Sequence, residues 1–224
     1  MGFNDWDFFT RVTEDTIPSS IGFVAEEVSP LANLKSLRVL DGGQPAVATV
    51  AGILKPSLET NLDSGRIQSL FLKKTGSGFR DSGLFFLSSS RNPLQNSAKG
   101  YAIYAIDGSC ALRVVKFANG LHDFASETEL ASVMVPFSGS NETIAMEVEW
   151  RGGIFSVSTG SVNIETRFAS NTADFGSMVS VSTVNDATMP FNVGHAGFFV
   201  RSRNSVEPLD SIIDDTSLWK RDFI

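Results

Sequence analysis

Residues 143–168 read TIAMEVEW, RGG, IFSVSTG and SVNIETRF, and after further loops come GHAGFFVRS and SIIDDTSLW. In the first of these segments Ile144, Met146, Val148 and Trp150 fall on one side, and Ala145, Glu147 and Glu149 on the other. A repeat of two is the pattern of a strand with one buried face, whereas a helix repeats about every 3.6 residues. Strand-like segments recur near 6–12, 20–28, 35–41, 46–54, 66–74, 83–88, 100–106, 111–117, 143–150, 154–159, 162–168, 178–184, 195–202 and 212–220. Between several of them stand Asp107-Gly108, Asn119-Gly120 and Gly152-Gly153, dipeptides that adopt the positive φ of tight hairpin turns. Helical signal is confined to two places. Residues 24–38 have apolar spacing that suits a short helix but are interrupted by Pro30. Residues 121–133 place Ser126 ahead of Glu129 in capping-box spacing, which predicts one or two helical turns. The expectation is an all-β, two-sheet antiparallel sandwich with one or two short helices.

The chain of 224 residues has no fixed-period repeat and no linker with a shifted composition, so a single domain over 1–224 is expected. Polar loops are expected at 75–82, 88–99 and 169–177. Hydrophobic residues make up 42%, enough for a sizeable core, and 18 Phe against 3 Trp and 2 Tyr imply that most rings fill that core, since Phe has no polar handle. The net charge of −7, without a basic cluster, argues against a nucleic-acid partner, whose phosphates are met by Lys and Arg. One cysteine, Cys110, excludes an internal disulfide and favours folding in a reducing cytoplasm. No apolar run reaches the roughly 18 residues of a membrane span, and MGFNDWDFF lacks the basic start of a signal peptide, so neither membrane nor export is expected.

The blocks KGYAIYAIDGSCALRVVKFANG, TIAMEVEWRGGIFSVSTGSVNIETRF and VGHAGFFVRSRNSVEPLDSIIDDTSLW together resemble the second half of a concanavalin A-like jelly roll, over roughly residues 98–220. In the laminin-G-like and glucanase-like members a hairpin is followed by a Gly-rich strand, here Gly194-His195-Ala196-Gly197-Phe198, and a closing strand with acidic residues, here Ile213-Asp214-Asp215. Where that family often has Asp before the turn glycine, this chain has Thr159. The resemblance also implies that the first and last strands lie side by side, with Trp6 near Trp219, protecting a sheet edge. The short tails at 1–5 and 220–224 then become docking elements.

Glu147 and Glu149 share one face of a strand, with α-carbons about 6.5–7 Å apart, a spacing compatible with glycoside hydrolysis. Glucanases of this fold carry three alternating acids, Glu-x-Asp-x-Glu, and here Ala145 and Arg151 occupy the flanking positions. The plainer account is a polar outer face opposite Ile144, Met146, Val148 and Trp150. Asp214 and Asp215, with Asp210 and Glu207 nearby, are weak calcium candidates, since calcium takes six to eight oxygens and no Asp-x-Asp-x-Asp-Gly loop is present. His122 and His195 are the two histidines, and no Gly-x-Ser-x-Gly elbow accompanies them. Gly76-Ser77-Gly78 sits in a polar loop, and no zinc or nucleotide-binding pattern occurs. No cofactor is expected. For a sugar, lectin-like members use an exposed aromatic ring with loop Asn and Asp side chains. Trp150 and Tyr101 are the candidate rings, with Tyr104 on the opposite face from Tyr101.

Three function classes follow. The leading expectation is a non-enzymatic assembly protein of a bacteriophage virion (capsid decoration, tail-associated or fibre module), made in the host cytoplasm and partnered by other virion proteins and by itself. The alternative is a carbohydrate-binding, lectin-like module that takes surface glycans. A glycan hydrolase ranks third because the acidic triad is incomplete. Fold alone does not choose among them.

Overall fold

The structure, a computed structural model, describes residues 6–12, 24–28, 35–40, 48–54, 62–72, 80–106, 111–134, 143–151, 154–161, 179–186, 194–203 and 210–220. Along these run β1 (Trp6–Val12), β2 (Val24–Val28), β3 (Lys35–Leu40), β4 (Ala48–Leu54), β5 (Ser64–Leu72), β6 (Arg80–Ser88) and β7 (Gly100–Ile106). They continue with β8 (Ala111–Phe117), β9 (Thr128–Met134), β10 (Thr143–Arg151), β11 (Ile154–Ser161), β12 (Val179–Asn185), β13 (His195–Ser202) and β14 (Asp210–Lys220). All pairings are antiparallel and build two seven-stranded sheets. The first sheet runs β1-β4-β13-β6-β7-β8-β9 and the second β12-β11-β10-β5-β14-β3-β2. The expected two-sheet antiparallel sandwich is what the chain forms.

The core between the sheets follows the alternation. Ile144, Met146, Val148 and Trp150 of β10 point into it together with Phe71, Leu84, Phe86, Tyr101, Ile103, Phe155, Phe198 and Val200. Phe86 sits at its centre, 5.6 Å from Tyr101, 5.6 Å from Trp150 and 4.9 Å from Phe155 between ring centroids. Each such ring, fully withdrawn from water, contributes on the order of 2–3 kcal/mol.

The first sheet is also covered on its outer face. Ala51, Ile53, Phe85, Ala102, Tyr104, Val115, Phe117 and Phe199 pack there against Leu94, Ala98 and Leu121. Those last three come from two connections, 89–99 and 118–127, that fold back over the sheet. Backbone bonds from Gly120 N to Ala98 O (2.8 Å) and from Leu121 N to Pro93 O (2.8 Å) tie the connections together. The turn at Asn119-Gly120 needs glycine: Gly120 has φ +87°, and a Cβ there would lie 2.6 Å from Gln95 O.

Three expectations are corrected. The capping box at Ser126 and Glu129 does not open a helix. Asp123 caps a single 3-10 turn, Phe124–Ser126, by accepting from Ala125 N, and the chain then enters β9 because Thr128–Met134 finds a ladder on β8. Likewise 24–38 yields β2 and β3, which pair with each other, instead of a helix. The first and last strands do not lie side by side: β1 pairs with β4 in the first sheet, while β14 is held between β5 and β3 in the second. Trp6 is accordingly buried against Phe198 at 4.9 Å, whereas Trp219 is 40% exposed. The strand expected at 162–168, the tails at 1–5 and 221–224, Cys110 and Gly76-Ser77-Gly78 lie outside the described residues.

Candidate functional site

Along β13 the side chains of Ala196, Phe198 and Val200 enter the core, so Phe199, Arg201 and, just beyond the strand, Arg203 fall on the opposite, outer face. Register places Arg201 beside Asp81 of β6 and, one strand further, Tyr104 of β7 beside Gly83. Gly83 is required there, since a Cβ would run into Ile103 O and Tyr104. Four charged groups thus meet under the 118–127 connection. The Arg201 guanidinium donates to Asp81 Oδ2 from Nε (2.9 Å) and Nη2 (2.6 Å), and from Nη1 to Glu127 Oε1 (2.6 Å) and Leu121 O (2.8 Å). Arg203 Nε donates to both oxygens of Asp81 at 2.9 and 2.8 Å, and its Nη2 to the Tyr104 hydroxyl at 3.2 Å. Tyr104 in turn donates to Glu127 Oε2 at 2.9 Å.

Two arginines against two carboxylates leave the cluster formally neutral, as deep burial demands. Burial alone pulls the Arg201 guanidinium down, and the charges of Asp81 and Glu127 more than reverse this, so its pKa stands above the ordinary arginine value. Arg203 is raised in the same way, burial being outweighed by Asp81. Tyr104 is pushed up to about 12, first by burial and then by the Glu127 and Asp81 charges. His122, in the covering connection, is lowered by burial and by Arg11 and Arg201, against the opposing pull of Asp123, and its buried Nδ1 has no hydrogen-bond partner among the described residues. No acid–base pair is assembled here. Both oxygens of Asp81 are taken by guanidinium groups, and Ser126 Oγ donates to Asp123 O instead of reaching the imidazole.

The rim of the cluster is suited to binding. Phe124 is 41% exposed, and its ring centroid lies 5.7 Å from the Arg201 Cζ and 5.8 Å from the Arg203 Cζ. Arg203 is partly exposed, and its Nη1 makes no hydrogen bond with the described residues. Asn119 is exposed, Asp123 half-buried, and their side chains are 3.5 Å apart on the same connection. An exposed ring beside two guanidinium groups and an amide–carboxylate pair therefore stand on one connection.

The rings singled out in the sequence are elsewhere. Trp150 is 1% and Tyr101 0% exposed, so neither offers a stacking surface. Tyr101 donates to Asp186 Oδ2 (3.0 Å), which also receives Lys116 Nζ (2.7 Å), a tie from β7 and β8 of the first sheet to the end of β12 in the second. Tyr104 does lie on the opposite face from Tyr101, yet it too is buried because the outer face is covered. Glu147 and Glu149 are half-buried on the outer face of the second sheet, and Glu147 is engaged by Arg66, whose Nε donates to it at 2.7 Å. Thr159 is buried and donates to Ala145 O at 2.9 Å, part of the β10–β11 packing. His195 opens β13 opposite Ser88. Asp214 pairs with Leu70 just before an irregularity in β14; the side chains of Asp214, Asp215 and Asp210, and all of Glu207, lie outside the described residues. Among the described residues no group of three His, Cys, Asp or Glu is placed to hold a metal ion.

No protein-family model and no curated protein sequence matches the chain. Solved structures do. The carbohydrate binding module CBM66 from Bacillus subtilis superposes with a TM-score of 0.55 at 13% identity, over 87% of this chain and 91% of that one. The VIP36 exoplasmic/lumenal domain in its Ca2+/Man3GlcNAc-bound form gives 0.60 at 12% identity, over 99% and 88%. A Bacillus subtilis protein of galectin-like fold gives 0.57 at 11% identity, over 96% and 89%. At these identities the likeness is one of fold, a two-sheet antiparallel β-sandwich.

Proposed function

We propose that the protein is a non-catalytic carbohydrate-binding protein whose site is the rim formed by Phe124, Arg203, Asn119 and Asp123. The exposed Phe124 ring carries the reading: a large apolar side chain stands out on the 118–127 connection, beside two guanidinium groups. A sugar stacks its C–H face on such a ring while its hydroxyls take the Arg203 N–H and the Asp123 carboxylate. Support comes also from the fold, shared with a carbohydrate binding module and with a domain solved in an oligosaccharide-bound form. The expectation of a virion assembly protein drew on the missing catalytic constellation, and that feature fits a binding protein equally well.

A glycan array tests the proposal. The native chain is expected to bind a restricted set of glycans, and Phe124→Ala, which removes a partly exposed ring, to weaken that binding about tenfold or more at unchanged circular dichroism. A chain that binds no glycan, or a Phe124→Ala variant that binds as well as the native one, overturns it.

A further inference from the structure

A second exposed aromatic surface lies on the other side of the sandwich, on the outer face of the second sheet. Of the 3 tryptophans in the chain, Trp6 and Trp150 are buried and Trp219 is exposed. β14 is irregular between Asp214 and Ser217, and beyond that point Leu218 packs toward the core while Trp219 faces outward. Register lines up a row across four strands: Trp219 of β14, Arg66 of β5, Glu149 of β10 and Ser156 of β11. Gln68, Glu147 and Ser158 form the adjacent row. Neighbours in a row are about 4.8 Å apart across the strands and successive rows about 6.8 Å apart along them, a grid of polar side chains.

The indole is braced in advance. Arg66 donates from Nε to Glu147 Oε2 at 2.7 Å and from Nη2 to the same oxygen, and its guanidinium lies 5.2 Å from the Trp219 ring centroid. A ring already held by its neighbours loses little freedom when a ligand stacks on it. Among the side chains described on β5, β10 and β11 of this face the formal charges cancel, Arg66 against Glu147 and Arg151 against Glu149. A balanced surface rich in hydroxyl and carboxylate groups around one apolar ring suits an uncharged ligand with hydroxyls at its edge and an apolar face. We infer that this face is a second carbohydrate platform, which takes a neutral pyranose oligosaccharide stacked on Trp219 with its hydroxyls along the Glu149, Ser156 and Ser158 grid. The protein then carries two sites on opposite faces and bridges glycan chains as a single molecule. The platform stands on its own residues and does not require the Phe124 rim to bind.

Tryptophan fluorescence reads this site selectively, because an aqueous quencher reaches Trp219 and not the buried Trp6 and Trp150. Neutral gluco-, manno-, galacto- and xylo-oligosaccharides are titrated into the native chain, Phe124→Ala and Trp219→Ala, with acrylamide quenching as the readout. At least one sugar is expected to cut quenching of the native chain and of Phe124→Ala alike, and to leave the residual quenching of Trp219→Ala unchanged. Protection that disappears in Phe124→Ala overturns the inference of a separate site. So does the absence of protection by every sugar, even where the array shows Phe124-dependent binding. Protection that rises with protein concentration without sugar assigns the face to a second copy of the chain and also overturns it.

Discussion

Asp81→Asn removes one negative charge, and almost no volume, from the centre of the buried cluster. In the native chain that carboxylate accepts from Arg201 Nε and Nη2 and from Arg203 Nε, at 2.6 to 2.9 Å, with no exposure to solvent. After the change two guanidinium groups share one counterion, Glu127, and the new amide turns N–H donors toward groups that can only donate. Breaking a buried pair by removing one partner costs about 3–5 kcal/mol, because the remaining charge stays buried without compensation. With a urea m-value of about 3 kcal/mol/M, the unfolding midpoint should fall by about 1–1.7 M. The fluorescence shift on exposure of the buried Trp6 and Trp150 reports the transition. Glu147→Gln is the internal comparison. It removes an ion pair whose arginine partner is 36% exposed, and should cost about 1 kcal/mol or less. If Asp81→Asn lowers the midpoint no further than Glu147→Gln, water reaches the Arg201 cluster, and the argument from burial fails.

Tyr104 makes stability depend on alkaline pH. Its hydroxyl stays protonated in the folded chain up to about 12, against 10.0 in the unfolded chain, so its contribution is intact below pH 10 and is lost as pH rises toward 12. Urea midpoints across that window should therefore fall more steeply for the native chain than for Tyr104→Phe, and parallel slopes would contradict the shift. Gly197→Ala should destabilise the chain by more than about 2 kcal/mol, since a Cβ there strikes Gly52 O of the paired strand β4 and the Phe85 ring. A melting temperature unchanged by that substitution would refute the β13–β4 register.

Strand positions were legible because their causes are local. Whether Val148 and Glu149 fall on opposite faces is settled by adjacent residues, and whether Asn119-Gly120 turns is settled by the φ that glycine permits. The 121–133 segment failed for the complementary reason: its capping spacing is compatible with a helix, but pairing with β8 outweighs one weak helical turn. The site was largely illegible. Arg201 meets Asp81 across 120 positions of sequence and Glu127 across 74, and no spacing rule announces such a pair. Phe124 sits in the segment read as helical, and nothing in its spacing tells which side of the sheet it covers.

The sequence by itself therefore determined the class of structure, the hairpins and the inward set of β10, all consequences of side-chain period and turn stereochemistry. Tertiary structure decided which faces stay open. A period of two distinguishes two sides of a strand, yet cannot say whether the outer one meets water or a returning segment of chain. In the first sheet that segment is 118–127, and by covering Tyr104 and Phe199 it buries the rings the strand pattern leaves available. Among the described residues the most exposed rings, Phe124 and Trp219, stand out because of where the chain returns and where β14 is irregular.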